Sequence, residues 1–153
     1  MEAHRVEHKL AAILHADVKG YSRLIGEDEV GTLRVLRTYL ERMNTLVKHH
    51  GGRAVGSRGD SLLAEFPSVL EALQCAIDMQ NELKVSNAEL PAKRRVEFRI
   101  GINLGEIVVE GEQLHGDGIN IAVRLEGLAE AGGIFISEVV YEQVKNRLPL
   151  QYQ

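Results

Sequence analysis

The stretch from Leu10 to Arg23, LAAILHADVKGYSR, decides how this chain is read. Leu10, Ala11, Ala12, Ile13, Leu14 and Ala16 form an apolar run, long enough for one buried strand and too short to span a membrane. Polarity returns at Asp17, where the strand is expected to stop. Val18-Lys19-Gly20-Tyr21-Ser22 comes next; Gly20 permits an unusual backbone turn and Ser22 is placed to cap a short helix. A strand, a tight turn with free amides and a helix start make an anion cradle with a carboxylate beside it. Mg²⁺ carrying a nucleotide phosphate suits such a site.

The whole chain sets the frame. Its 153 residues are expected to form one domain with a real core, and 44% hydrophobic with 26% charged residues is ordinary for a globular protein. A formal net charge of −4 lacks the basic surplus of a nucleic-acid binder, so no nucleic-acid partner is expected. The single cysteine, Cys75, excludes an internal disulfide and reads as a small core residue in a reducing compartment. The N-terminal MEAHRVEHK has no apolar signal-like core and no membrane-length run follows, so the expected location is cytoplasmic.

Outward from the opening strand, Glu27, Asp28 and Glu29 suit a helix start. Val30, Leu33, Leu36, Leu40, Met43 and Val47 recur at helical spacing until Gly51-Gly52. Arg53 to Arg58 and Leu62 to Phe66 read as a hairpin whose turn, Gly59-Asp60-Ser61, leaves Asp60 at the tip. A second helix carries Val69, Leu73, Ala76, Ile77 and Leu83, and the polar stretch Ser86 to Arg95 reads as a loop. Val96 to Gly105 alternates as a strand, with Val96, Phe98, Ile100, Ile102 and Leu104 on one face and Glu97, Arg99, Gly101, Asn103 and Gly105 on the other. Past a Gly105-Glu106 turn, Ile107 to Val109 is a further strand and Glu110 to Gly118 a loop. A helix is expected from about Ile119 to Ala131, then a strand Ile134 to Ile136 and a last helix capped by Ser137.

This order predicts an α+β fold of the ferredoxin-like split βαβ type. Its antiparallel sheet carries helices on one face, with an appended βαβα and a second face free to meet a partner. In that plan the first strand ends near the hairpin tip, so Asp17 and Asp60 can meet. Two carboxylates able to bridge divalent ions about 3.5 to 4 Å apart would neutralise a triphosphate and activate an attacking oxygen. Alternatively Asp60 serves turn chemistry and Asp17 caps the segment after it. Asn120 and Arg124, four apart on one helical face among apolar neighbours, form a second constellation. Such an Arg can stabilise phosphoryl charge and such an Asn can orient a sugar oxygen, or the pair is a surface contact, with Arg124 reaching Asp117. His15 is read as structural and His115 as a loop histidine just before the helix.

Four sequence words, HADVKGYSRL, SRGDSLLAEF, FRIGINLGEIVVEG and GDGINIAVRLEGLAEAGGIFIS, stand in this order. Together they closely resemble the catalytic domain of class III adenylate and guanylate cyclases, bacterial forms especially, from about residue 8 to residue 148. The resemblance implies the cyclase version of the split βαβ sandwich and the conversion of ATP to 3′,5′-cyclic AMP and pyrophosphate. It further implies that Asp17 and Asp60, with the Val18 carbonyl, hold two Mg²⁺ or Mn²⁺ ions. Amides of Lys19, Gly20, Tyr21 and Ser22 would hold the β and γ phosphates, Asn120 the ribose, and Arg124 the α-phosphate during attack. It also implies a homodimer with sites at the interface, each taking its aspartates from one chain and its Asn and Arg from the other, and fusion to further domains.

The sequence departs from the family pattern at the base-reading positions. Where adenylate cyclases of this family carry Lys four residues before the hairpin Asp and Asp seven before the ribose Asn, this chain has Gly56 and Gln113. Gly56 offers no side chain, while Gln113 has both a donor and an acceptor for a purine edge. A cyclase of relaxed purine selectivity that accepts GTP, and an impaired cyclase-like domain that binds nucleotide or dimerises for regulation, are therefore the alternatives. The family also continues past the last helix with a strand pair that carries a phosphate-binding lysine. A single domain over 1–153 without that pair is the expectation.

Overall fold

The structure, a computed structural model, describes residues 6–147, with the side chains of residues 56–58 outside the description. Its elements run β1 (Val6–Val18), α1 (Tyr21–Glu27), α2 (Glu29–His49), β2 (Arg53–Arg58), β3 (Ser61–Phe66), α3 (Val69–Asn87), β4 (Phe98–Glu110), β5 (Gln113–His115), α4 (Asp117–Leu128), β6 (Ile134–Ile136) and α5 (Glu138–Val144). The strand order β2-β3-β1-β4-β5 is antiparallel throughout, and β6 pairs in parallel with β4. This is the expected split βαβ plan, with β1 at the centre.

The two-residue period of β1 divides the molecule. Ala12, Leu14, Ala16 and Val18 enter the main core with Leu36, Tyr39, Met43 and Val47 of α2, Leu73, Met79 and Leu83 of α3, and Phe98, Ile100 and Ile102 of β4. Ala11 and Ile13 point the other way, into a small cluster with Ile107 and Ala122. The sheet's second face is therefore covered in part by α4, while α2, α3 and α5 share the first. The expectation of a free second face holds only outside α4.

Glycine explains that placement, and the same residue type gives a misleading local signal. Gly105-Glu106 is no turn: β4 continues through it to Glu110. Gly101 and Gly105 lack side chains because α4 lies against them. A Cβ at Gly101 would collide with the Ala122 carbonyl oxygen and the Glu126 amide nitrogen, and one at Gly105 would stand 3.1 Å from the Gly118 Cα. The Asn103 amide adds a hydrogen bond of 3.1 Å to the Gly118 carbonyl. The expected loop from Glu110 to Gly118 instead holds the β4–β5 turn at Gly111, which has φ +62°, and strand β5. Ser22 does not cap α1 either; Gly20 does so with φ +71°, and Ser22 sits in the first turn.

Where α2 ends, the fold contains a pH-sensitive clasp. His50 lies with Nδ1 2.9 Å from Glu71 and Nε2 2.8 Å from Asp78, both on α3, and its ring meets His49 edge-on. A neutral imidazole has one N–H, so satisfying both bonds requires the protonated ring. Burial pulls the His50 pKa down, but the hydrogen bonds and charges of Glu71 and Asp78 outweigh it and leave it raised above the ordinary 6.5. A cation with a raised folded pKa contributes stability that is complete below 6.5 and is lost as pH climbs through the folded value.

Two measurements check these contacts. Gly101→Ala is expected to cost about 1–3 kcal/mol in urea unfolding through overpacking against α4, and an unchanged midpoint would refute the close seating. His50→Gln is expected to cost about 1 kcal/mol near pH 6, a modest figure because the side chains of Glu71 and Asp78 are 44% and 48% exposed. That cost should shrink toward about pH 9, and a pH-independent cost would contradict the protonated clasp.

Candidate active site

The register of β1 brings the site together. Asp17 stands opposite Ser61 on β3 and opposite Arg99 on β4, at the end of β1. Arg58 pairs with Ser61, so Gly59-Asp60 is a two-residue turn, and Gly59 takes φ +55° there. The Asp60 carboxylate accepts hydrogen bonds from its own N–H and from that of Val18. The two aspartates expected to meet therefore lie at one corner of the sheet. Burial pushes the Asp60 pKa up and the Asp17 charge adds to this, against the two backbone hydrogen bonds and His15.

Arg99 and Glu126 complete the cluster, although no sequence signal marks them for chemistry. The Arg99 Nη2 lies 3.1 Å from Asp17 Oδ1 and 3.2 Å from Glu126 Oε2, while the other Glu126 oxygen is 3.1 Å from His15 Nδ1. Glu126 is buried, and its pKa is pushed up to about 8, first by that burial, then by its hydrogen bond to Asp17 and the Asp17 charge, against the pull of Arg99. Burial likewise lowers the His15 pKa, with Asp17 and Asp60 opposing. The structural role expected for His15 thus extends to the edge of the site. A signal for the placement of Glu126 is present: it follows Gly118 and Ala122 at four-residue steps, which puts it on the sheet-facing side of α4.

Asn120 and Arg124 go elsewhere. Gly118, Ala122 and Glu126 are the buried residues of α4, while Asn120 and Arg124 are exposed. Residues two apart on a helix are about 200° apart around its axis, so this pair faces away from the sheet of its own chain. Beside it Ile121 and Val123 are 39% and 41% exposed, apolar surface turned outward with the two polar groups. One chain therefore carries the expected site residues as two separate groups rather than as one closed site.

The remaining expected positions fall around the aspartate corner and beyond it. The Lys19 amide donates to the Glu97 carbonyl at 2.9 Å, whereas Gly20, Tyr21 and Ser22 open α1, where amides have no helical acceptor behind them. Gly56 lies in β2 where the ladder shifts register, paired with Leu63. Gln113 is exposed on β5. A cavity of about 750 Å³ lined by Leu10, Val69, Leu104 and Val144 lies at the other end of β1.

Hard oxygen donors that repel one another are what a divalent cation neutralises. Asp17 and Asp60 fit Mg²⁺ or Mn²⁺ in that sense, since burial first and the Asp17 charge after it make the Asp60 carboxyl hold its proton more tightly. Among the described residues no group of three or more His, Cys, Asp or Glu side chains converges as a complete metal cage. A cation held there would have two carboxylates and keep its other positions for substrate or water.

The family model for the adenylate and guanylate cyclase catalytic domain matches residues 4–153. The chain belongs to that family. This cyclase-family chain is 40% identical over 153 residues to a provisionally named adenylate cyclase 3 of Rhizobium meliloti (strain 1021), covering 99% of this chain and 26% of that protein. It therefore spans about a quarter of that relative's length. Its fold matches the crystal structure of an adenylate/guanylate cyclase/hydrolase from Silicibacter pomeroyi with TM-score 0.91 and 36% identity, over 97% of this chain and 87% of that one. It also matches the adenylyl cyclase CyaB from P. aeruginosa with TM-score 0.82 and 27% identity, over 94% of this chain and 84% of that one.

The acidic corner should be costly while no cation neutralises it. Asp60→Asn keeps an oxygen for the Val18 amide and removes the charge that opposes Asp17. In a chelating buffer near neutral pH it is expected to stabilise the protein by about 1 kcal/mol, raising the melting temperature by roughly 2–4 °C. A lowered melting temperature would show that the corner is held by Asp60 rather than strained by it.

Proposed function

We propose that this domain is a nucleotidyl cyclase that converts ATP to 3′,5′-cyclic AMP and pyrophosphate in a homodimer for intracellular signalling. The observation that carries this reading is the division of the site. Asp17 and Asp60 converge at one end of the sheet, while Asn120 and Arg124 face outward on α4 among exposed apolar residues. Each group is incomplete for phosphoryl transfer, and a second copy related by a twofold axis supplies the missing one to both sites.

In such a dimer Asp17, Asp60 and the Val18 carbonyl would hold the Mg²⁺ or Mn²⁺ ions. When bound, these ions neutralise phosphate charge and make the ribose 3′-hydroxyl a better nucleophile. The amides at Gly20, Tyr21 and Ser22 would receive the β and γ phosphates, the Lys19 amide expected among them being taken by the Glu97 carbonyl, and Asn120 would orient the ribose for in-line attack. Arg124 stabilises charge on the α-phosphate as the 3′-oxygen bond forms and the bond to the bridging oxygen of pyrophosphate breaks. The order of preference, ATP before GTP, is supported by the naming of the relatives as adenylate cyclases.

Gly56 and Gln113 favour a second reading, a domain of relaxed or lost base selection, because no fixed charged side chain addresses the purine from those positions. Asp17→Ala and Arg124→Ala are each expected to lower Mn²⁺-dependent cyclic AMP formation at least about 10³-fold. An equal mixture of the two variants should recover about a quarter of the wild-type rate, because half the dimers are mixed and each has one whole site. Equal rates with ATP and GTP would select the relaxed enzyme, and nucleotide binding without product the impaired one. Failure of the mixture to recover activity would reject the shared site.

A further inference from the structure

Glu126 is a carboxylate of 2% exposure, two residues beyond Arg124 on α4. Burying such a group is unfavourable unless its oxygens are satisfied. Both are: one lies 3.1 Å from His15 Nδ1 on β1, the other 3.2 Å from Arg99 Nη2 on β4. That same Arg99 nitrogen is 3.1 Å from Asp17 Oδ1. One guanidinium is thus shared between the carboxylate that ends β1 and the carboxylate under α4.

The arrangement has two consequences. With Glu126 present, Arg99 has a second carboxyl oxygen to bond and need not rest on Asp17 alone; without it, Arg99 becomes a full competitor for any cation that approaches Asp17. The second consequence concerns the helix. Its backbone already touches β4 at Gly101, where there is no room for a side chain, and Glu126 adds bonds to two strands that fix its rotation. Asn120 and Arg124, on the opposite side of the same helix, are aimed by that rotation.

We propose that Glu126 is a positioning residue for both groups of site residues in its own chain. It holds Arg99 off exclusive pairing with Asp17, and it fixes the angle at which α4 presents Asn120 and Arg124. The inference rests on the shared-site cyclase reading above. Neither role requires Glu126 to touch substrate.

The test uses the whole chain at pH about 8.5, above the Glu126 value of about 8, with Glu126→Gln, which keeps the shape of the side chain and there removes its charge. Binding of Mn²⁺ without nucleotide, followed by electron paramagnetic resonance, is expected to weaken about tenfold while circular dichroism shows an intact fold. Glu126→Asp, which restores the charge, should recover part of that affinity. Mixed dimers separate the two roles. One protomer carries Asp17→Ala with Asp60→Ala, its partner carries Asn120→Ala with Arg124→Ala, and a single whole site remains. Adding Glu126→Gln to the protomer with intact aspartates should raise the Mn²⁺ concentration for half-maximal rate about tenfold with little change in kcat at saturation. Adding it to the protomer with intact Asn120 and Arg124 should lower kcat about tenfold with the Mn²⁺ dependence unchanged. Unchanged Mn²⁺ binding, or an effect in only one of the two arrangements, overturns the proposal. If the parent mixed dimer forms no cyclic product from ATP or GTP, the cyclase reading fails instead, and the Mn²⁺ titration of Glu126→Gln still decides the role at Asp17.

Discussion

The pairing of β1 with β3 on one side and β4 on the other is the constraint from which the site follows. A strand cannot slip by one residue without turning its whole apolar set to the wrong face. Ala12, Leu14, Ala16 and Val18 must enter the main core, so Asp17 must face the opposite side, next to the β2–β3 turn and across from Arg99. Fully burying side chains such as Ile13 and Leu14 is worth about 1.5–3 kcal/mol each, which is ample to hold acidic groups in a corner where they repel. Packing thus maintains an electrostatic arrangement that the charges alone would disperse.

The second determinant is the contact of α4 with β4. Gly101, Gly105 and Gly118 let two backbones approach until no Cβ fits, and the helix takes up a face of the sheet that the simple split βαβ plan leaves open. That approach creates the burial which raises the Glu126 pKa and gathers Asp17, Arg99, His15 and Glu126 into one network. It also turns Asn120 and Arg124 outward. The same helix therefore belongs to one corner through its inner face and leaves its outer face to solvent, which is what the proposed twofold dimer would use.

Much of this is readable from residues in order. The apolar run of β1 and the helical periodicity of α2 and α3 appear directly in the sequence, and the hairpin at Gly59-Asp60 is marked by its turn chemistry. From these, the convergence of Asp17 and Asp60 follows as a topological consequence. The failures share a cause. Gly105 reads as a turn because a glycine has the same local signature whether it bends the chain or admits a neighbouring backbone. Ser22 reads as a cap, but the left-handed Gly20 starts α1 one residue before Tyr21.

The sequence by itself determined the strands, the helices and the placement of two carboxylates at chain reversals, because periodicity and turn preference are properties of neighbouring residues. Only the tertiary structure decided which way α4 presents Asn120 and Arg124, and that Arg99 and Glu126 join the acidic corner. Asp17 meets Arg99 across 82 positions of chain and His15 meets Glu126 across 111. Such partners are chosen by how closely a helix can lie on a sheet, and that distance is set by side chains that are absent.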